Sequence, residues 1–116
     1  MNDLEKRLFD FGVRVIKYLR TLPNTFEYKV IKNQLIKSST SSGANYEESQ
    51  AGSSKPDFNN KVRISLREMR ESNYWLRVIS SISENNENDT ELNFLLTESK
   101  ELKNILGSIM QKTRKK

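Results

Sequence analysis

Residues 57–84 read DFNNKVRISLREMRESNYWLRVISSISE, and their spacing decides the fold. Phe58, Val62, Ser65, Met69, Ser72, Leu76 and Ile79 recur every three or four positions, so they share one face of a long helix. Ile64, Trp75, Val78 and Ile82 form a second apolar arc beside that face. Arg63, Arg67, Arg70, Tyr74 and Arg77 fall within a third arc of about 80°. One helix thus offers a core seam, a second apolar seam and an arginine stripe. The rest of the chain must supply partners for all three.

Upstream, residues 25–51 keep Tyr28, Ile31, Leu35, Ser38, Ser42 and Tyr46 in helical register. Residues 38–44 are nearly all small and poor helix formers, so a loop rivals a helix there. The continuous register favours a helix, and small side chains would let two helix axes approach closely. Residues 52–56, GSSKP, read as a loop, with Asp57 as the expected cap of the long helix. Before them, residues 3–22 carry a stripe of Leu4, Leu8, Phe11, Val15, Leu19 (or Tyr18) and Leu22, with Asp3 as its cap. Phe9, Val13 and Ile16 sit outside this stripe. Pro23 stops the helix, and Asn24 or Thr25 opens the next one. Downstream, residues 85–89, NNEND, form a polar turn. Residues 90–113 then carry Leu92, Leu95 or Leu96, Ser99, Leu102, Leu106 and Ile109, with Asp89 or Thr90 as cap. No strand-like alternation and no solenoid repeat occur. Helices over about 3–22, 25–51, 57–84 and 90–113 predict an all-α, antiparallel up-down-up-down four-helix bundle, one domain over residues 1–116.

Hydrophobic residues make up 34% of the chain and charged residues 30%, which implies a thin core and favours self-association. There is no Cys and no His. Disulfides, thiolate or imidazole metal sites, Cys nucleophiles and histidine acid–base chemistry are therefore excluded, and no cofactor is expected. No apolar run approaches the ~20 residues of a membrane span. The opening MNDLEKRLFDF has early acids and does not read as a signal peptide. These features predict a cytoplasmic protein with no membrane partner. The net charge of +5 is unevenly spread. Residues 1–37 carry eight bases against four acids, residues 85–99 four acids and no base, and residues 100–116 six bases against one acid. A basic surface and tail point to an anionic partner, with ordinary solubility charge as the alternative.

The stretch QLIKSSTSSGANYEESQA (residues 34–51), followed by KPDFNNKVRISLREMRESNYWLRVI (residues 55–79), resembles a bacterial four helix bundle protein family. Members of that family include proteins encoded in intervening sequences of 23S rRNA genes. The accessory variability protein of diversity-generating retroelements is a more distant relative. Ser42, Ala44, Asn45 and Glu48 match on the second helix, and Phe58, Lys61, Glu68, Glu71, Tyr74, Trp75 and Leu76 on the third. Glu98, Leu102, Ile105 and Leu106 match on the fourth. Met69 departs from the small residue expected at its position. The resemblance implies a bundle that assembles into a homopentamer, with no known enzymatic activity. For the retroelement relative it implies a basic surface that binds nucleic acid and a reverse transcriptase. The family's link to the ribosome reflects where some of its genes sit.

Four groups of residues are candidates for chemistry. Glu48, Glu68 and Glu71 with Asn45 read as a structural polar network; without His, the carboxylate–histidine template of metal-binding bundles fails. An all-carboxylate cation site is the alternative. The serines at 38, 39, 41 and 42 lack any nucleophile motif or base and read as a close helix contact. Phe9, Val13, Ile16, Ile64, Trp75 and Ile82 exceed what one bundle seam needs and are expected at an oligomer interface. Arg63, Arg67, Arg70, Tyr74 and Arg77, with the tail residues Lys112, Arg114, Lys115 and Lys116, are the expected nucleic-acid-binding set. The expected function is a non-enzymatic oligomeric adaptor that binds nucleic acid, or a nucleic-acid-processing protein, through that basic surface. The alternative is a purely structural, protein-binding homo-oligomer whose arginines serve between subunits.

Overall fold

The computed structural model describes residues 2–52, 54–84 and 89–114, the side chain of Arg114 excepted. Four helices follow in order: α1 (Asp3–Leu19), α2 (Phe26–Ser49), α3 (Lys55–Ile82) and α4 (Thr90–Arg114). The described residues contain no strand. α1 packs on α2 and α4, and α3 packs on the same two helices, which makes the all-α four-helix bundle that the spacing predicts.

The helix ends differ in detail from expectation. Asn2, not Asp3, caps α1, its Oδ1 accepting from the Glu5 N–H at 2.7 Å. α1 ends at Leu19, before residue 22, because residues 21 and 22 turn tightly onto Tyr18 and Leu19 ahead of Pro23. The Leu22 carbonyl is instead met by the Lys32 ammonium at 3.0 Å. α3 begins at Lys55, two residues early, with Ser54 as its cap. Pro56 therefore lies inside the first turn, where its missing N–H costs nothing. Asp57 is that turn's acid, and the Ser54 hydroxyl accepts from its N–H. Thr25 caps α2, and Asp89 caps α4 through the Leu92 N–H at 2.9 Å. The polar turn at 85–88 lies outside the described residues.

The core is built from the expected stripes. Leu8, Phe11 and Val15 of α1 meet Leu35 of α2, Met69, Leu76 and Ile79 of α3, and Leu92, Leu102 and Leu106 of α4. Leu66 and Met110 are also buried, one position beyond the seams read from spacing. Phe58 is only partly buried at the start of α3.

The α2/α3 seam is polar at its centre. Residues 38–44 are helical throughout, and Ser38, Ser39 and Ser42 are buried. The Ser42 hydroxyl donates to the Ser65 carbonyl at 2.8 Å, and the Ser65 hydroxyl donates to the Ser42 carbonyl at 2.7 Å. Larger side chains at these two positions would hold the backbones apart; two hydroxymethyl groups permit the approach. One turn along α2 and two along α3, the Ser38 and Ser72 hydroxyls meet at 2.9 Å, and each also lies against its own helix carbonyl. These bonds satisfy the buried hydroxyls and fix an antiparallel register. A comparable closeness exists between α1 and α2. A methyl on Gly12 would lie 3.5 Å from the Ser39 carbonyl, and one on Gly43 would lie 3.4 Å from the Leu8 carbonyl.

Charge closes the bundle between its first and last helices. Arg7 donates from Nε and Nη2 to both oxygens of Glu98, at 3.0 and 2.6 Å. Arg14 grips Glu91 in the same two-pronged way, at 3.0 and 2.7 Å, and its guanidinium lies 3.6 Å above the Phe94 ring. The Tyr18 hydroxyl donates to Asp89 at 2.7 Å; burial, then this bond to the carboxylate, pushes the phenol well above its ordinary value. Each exposed or half-exposed pair contributes about 1 kcal/mol or less.

Beside the serine seam, Glu68 is half-buried next to Glu71. Burial and then the Glu71 charge raise its pKa above the ordinary 4.5, partly offset by Ser41, Arg67 and Lys37. A carboxyl raised in this way binds its proton more readily folded than unfolded. Its cost to stability is absent in acid and appears as the pH rises through the carboxylate range. Glu68→Gln should therefore melt at higher temperature than the natural chain at pH 7.5, and the gap should close near pH 4; equal melting curves at pH 7.5 would show that the site imposes no cost. At the serine seam, Ser42→Leu overpacks the contact and should destabilise by about 1–3 kcal/mol, read from urea unfolding. An unchanged midpoint would place residue 42 on a free surface.

Candidate nucleic-acid interface

Fixing Ser65 and Ser72 against α2 sets the rotation of α3 about its axis. Residues 63, 67, 70 and 77 then turn toward α4 and the solvent. Arg63, Arg67, Arg70 and Arg77 line one groove between α3 and α4, about 940 Å³ in volume. Leu66, Asn73 and Met110 lie at its base, and Lys103, Asn104, Ser108 and Gln111 form the α4 wall. A side chain at Gly107 would meet nothing within 4 Å, so this glycine leaves the groove wide. From Arg63 to Arg77 the stripe rises roughly 21 Å along the helix.

No carboxylate lines this groove. Among the described residues none of the four arginines pairs with an acid. Arg63 donates to Asn60 at 3.4 Å, and Arg77 donates from Nε to Asn73 at 3.0 Å. Tyr74 does not line the groove; it is 49% exposed, with the Arg77 guanidinium 5.7 Å from its ring centre. Its ring meets Trp75 edge-on at 5.1 Å. Lys103 is a member of this site that sequence reading missed. It adjoins the buried Leu102 on the side of α4 that faces α3, a position visible only once the two helices are known to be neighbours.

The remaining candidates are more scattered. Lys112 is exposed near the end of α4 and does not line the groove. The Arg114 side chain, Lys115 and Lys116 lie outside the described residues. Asn45, Glu48, Glu68 and Glu71 all lie along the α2/α3 side; Asn45 and Glu68 share Ser41, and Glu48 and Glu71 have separate partners. Asn45 donates to Ser41 on its own helix, Glu48 pairs with Lys61 at 3.2 Å, and Glu71 accepts from the Trp75 indole at 3.1 Å. Among the described residues no three acids gather as a metal-binding group. Of the six apolar residues, Phe9, Val13 and Ile16 line a separate groove between α1 and α2, about 420 Å³ in volume, beside Gly12, Gly43 and Ala44. Phe9 is 59% exposed there. Ile64 and Trp75 are half-buried on α3, and Ile82 is exposed at its last turn. The six therefore belong to two surfaces. No helix among the described residues is long and apolar enough to cross a membrane.

Chemically, the α3/α4 groove is a cationic channel with amide and hydroxyl groups on one wall. It has the donors to hold phosphate oxygens and lacks a nucleophile poised on a base. Similar proteins share this architecture. One is a protein of unknown function from the S23 ribosomal protein family of Bacteroides thetaiotaomicron VPI-5482. It is 29% identical, superposes with a TM-score of 0.80, and the match covers 92% of this chain and 97% of that one. No curated protein matches the chain. Residues 2–108 match the family described as 23S rRNA-intervening sequence protein, and the chain belongs to that family.

Proposed function

We propose that the protein is a non-enzymatic adaptor that binds the phosphate backbone of nucleic acid in the α3/α4 groove. One observation carries the reading. The arginines of α1 are neutralised by acids of α4, whereas the four arginines of α3 share a groove with Lys103 and no carboxylate. Unpaired guanidinium groups spaced by one or two turns suit a polyanion, because each phosphate they neutralise releases counterions. Contacts of this kind fix position and carry little sequence information.

A second element of the proposal is self-association as a homo-oligomer, a pentamer on the family resemblance. Its support is the apolar α1/α2 groove and the exposed Phe9, Phe26 and Ile82. The two groups of apolar residues sit on different surfaces, which suits a head-to-tail contact that closes into a ring.

Fluorescence anisotropy with a labelled single strand and a labelled duplex tests the first element. For about four phosphates neutralised per protomer, log K should fall against log salt with a slope of roughly −3 to −4. Replacing Arg63, Arg67, Arg70 and Arg77 together by Gln should flatten that slope with helix content unchanged. No binding to either probe at low salt would leave the protein-binding alternative as the better account. Light scattering tests the second element: the expected species at micromolar concentration is an oligomer, and a monomer there would remove self-association from the proposal.

A further inference from the structure

Arg77 is held differently from the other three arginines of the groove. Asn73, one turn before it, is buried at the base of the groove. The Asn73 amide nitrogen donates to the Ser99 hydroxyl of α4 at 2.9 Å, and that hydroxyl donates to the Leu96 carbonyl at 3.1 Å. This anchoring turns the Asn73 carbonyl oxygen toward Arg77, where it accepts the Nε–H at 3.0 Å. Tyr74 flanks the same guanidinium. Among the described residues Arg67 and Arg70 have no hydrogen-bond partner, and Arg63 has only the long bond to exposed Asn60.

A guanidinium offers five N–H groups. With Nε spent on Asn73, the two terminal nitrogens of Arg77 remain, side by side and solvent-exposed. That edge matches two oxygens of one phosphate. A side chain already fixed loses less rotamer freedom on binding than a free one does. Resting on the reading of the groove as phosphate-binding, we propose that Arg77 is its fixed phosphate subsite and that Asn73, anchored by Ser99, is the residue that positions it. One phosphodiester is gripped end-on by the Arg77 terminal nitrogens. Arg63, Arg67 and Arg70 supply attraction without a set geometry.

Lysine keeps the charge and loses the fork, so single Arg→Lys variants separate the two roles. The probe is a labelled oligouridylate single strand, read by anisotropy at low salt. Arg77→Lys should weaken binding about tenfold, the loss of one charge-assisted hydrogen bond. Arg63→Lys, Arg67→Lys and Arg70→Lys should stay within about twofold of the natural chain. Asn73→Leu should weaken binding as Arg77→Lys does, yet add nothing in the Arg77→Lys background, because it acts only through Arg77. A merely structural Asn73 would weaken both backgrounds equally, and that result overturns its positioning role. Four equal lysine variants overturn the subsite while leaving nucleic-acid binding in place. A natural chain that binds no strand overturns the groove reading itself, and the subsite with it.

Discussion

The reciprocal bond between Ser42 and Ser65 is the constraint from which the arrangement follows. Each hydroxyl donates to the other residue's backbone carbonyl, so the two axes are held at a distance that no larger side chain tolerates. Because the groups involved are main-chain carbonyls, the bond fixes register as well as distance. The Ser38–Ser72 hydroxyl contact adds a second fixed point, one turn along α2 and two along α3, which removes the freedom of α3 to slide or roll. With that rotation fixed, 3.6-residue periodicity decides the rest of α3. Val62, Met69 and Leu76 enter the core, and the arginines emerge toward α4. The position of the cationic groove is therefore a consequence of small residues on the far side of the same helix.

Charge is divided just as unevenly as the sequence suggests, but the division has a structural purpose. The acids of residues 89–98 do not form a free acidic patch. Glu91 and Glu98 hold Arg14 and Arg7, and Asp89 both caps α4 and accepts from Tyr18. These contacts join the first helix to the last along an edge with little direct packing. They also neutralise Arg7 and Arg14 of α1. The four arginines of α3, beside Lys103, have no such carboxylate.

Periodicity made the fold legible. Leu8, Phe11 and Val15, or Leu92, Leu102 and Leu106, could be assigned to buried faces from spacing alone, and they are buried. Even residues 38–44, where propensity argued for a loop, were settled by register. The arginine stripe was legible as a face for the same reason. Its partners were not. Periodicity tells which way a side chain points and nothing about which helix stands opposite, so Lys103 and the Arg7–Glu98 pair stayed hidden. Caps were misplaced by one to three residues because Asn2, Asp3, Ser54 and Asp57 are all good capping types, and local sequence ranks them almost equally. Asn73 escaped notice for a different reason. It lies beside the apolar seam, and only the neighbouring Ser99 turns a buried amide there from a liability into an anchor.

The two grooves lie on opposite edges of the bundle. α1 and α2 enclose the apolar one, and α3 and α4 enclose the cationic one. A head-to-tail contact between the α1/α2 edge of one copy and Ile64, Trp75 and Ile82 of the next would use no residue that lines the α3/α4 groove. An assembly built on that contact would display one arginine groove per copy, each able to take a separate part of the same strand. Weak, sequence-blind grips would then add through effective concentration, and the whole would bind far more tightly than one protomer. The placement of the two grooves on opposite edges would let assembly strengthen binding without any residue serving both.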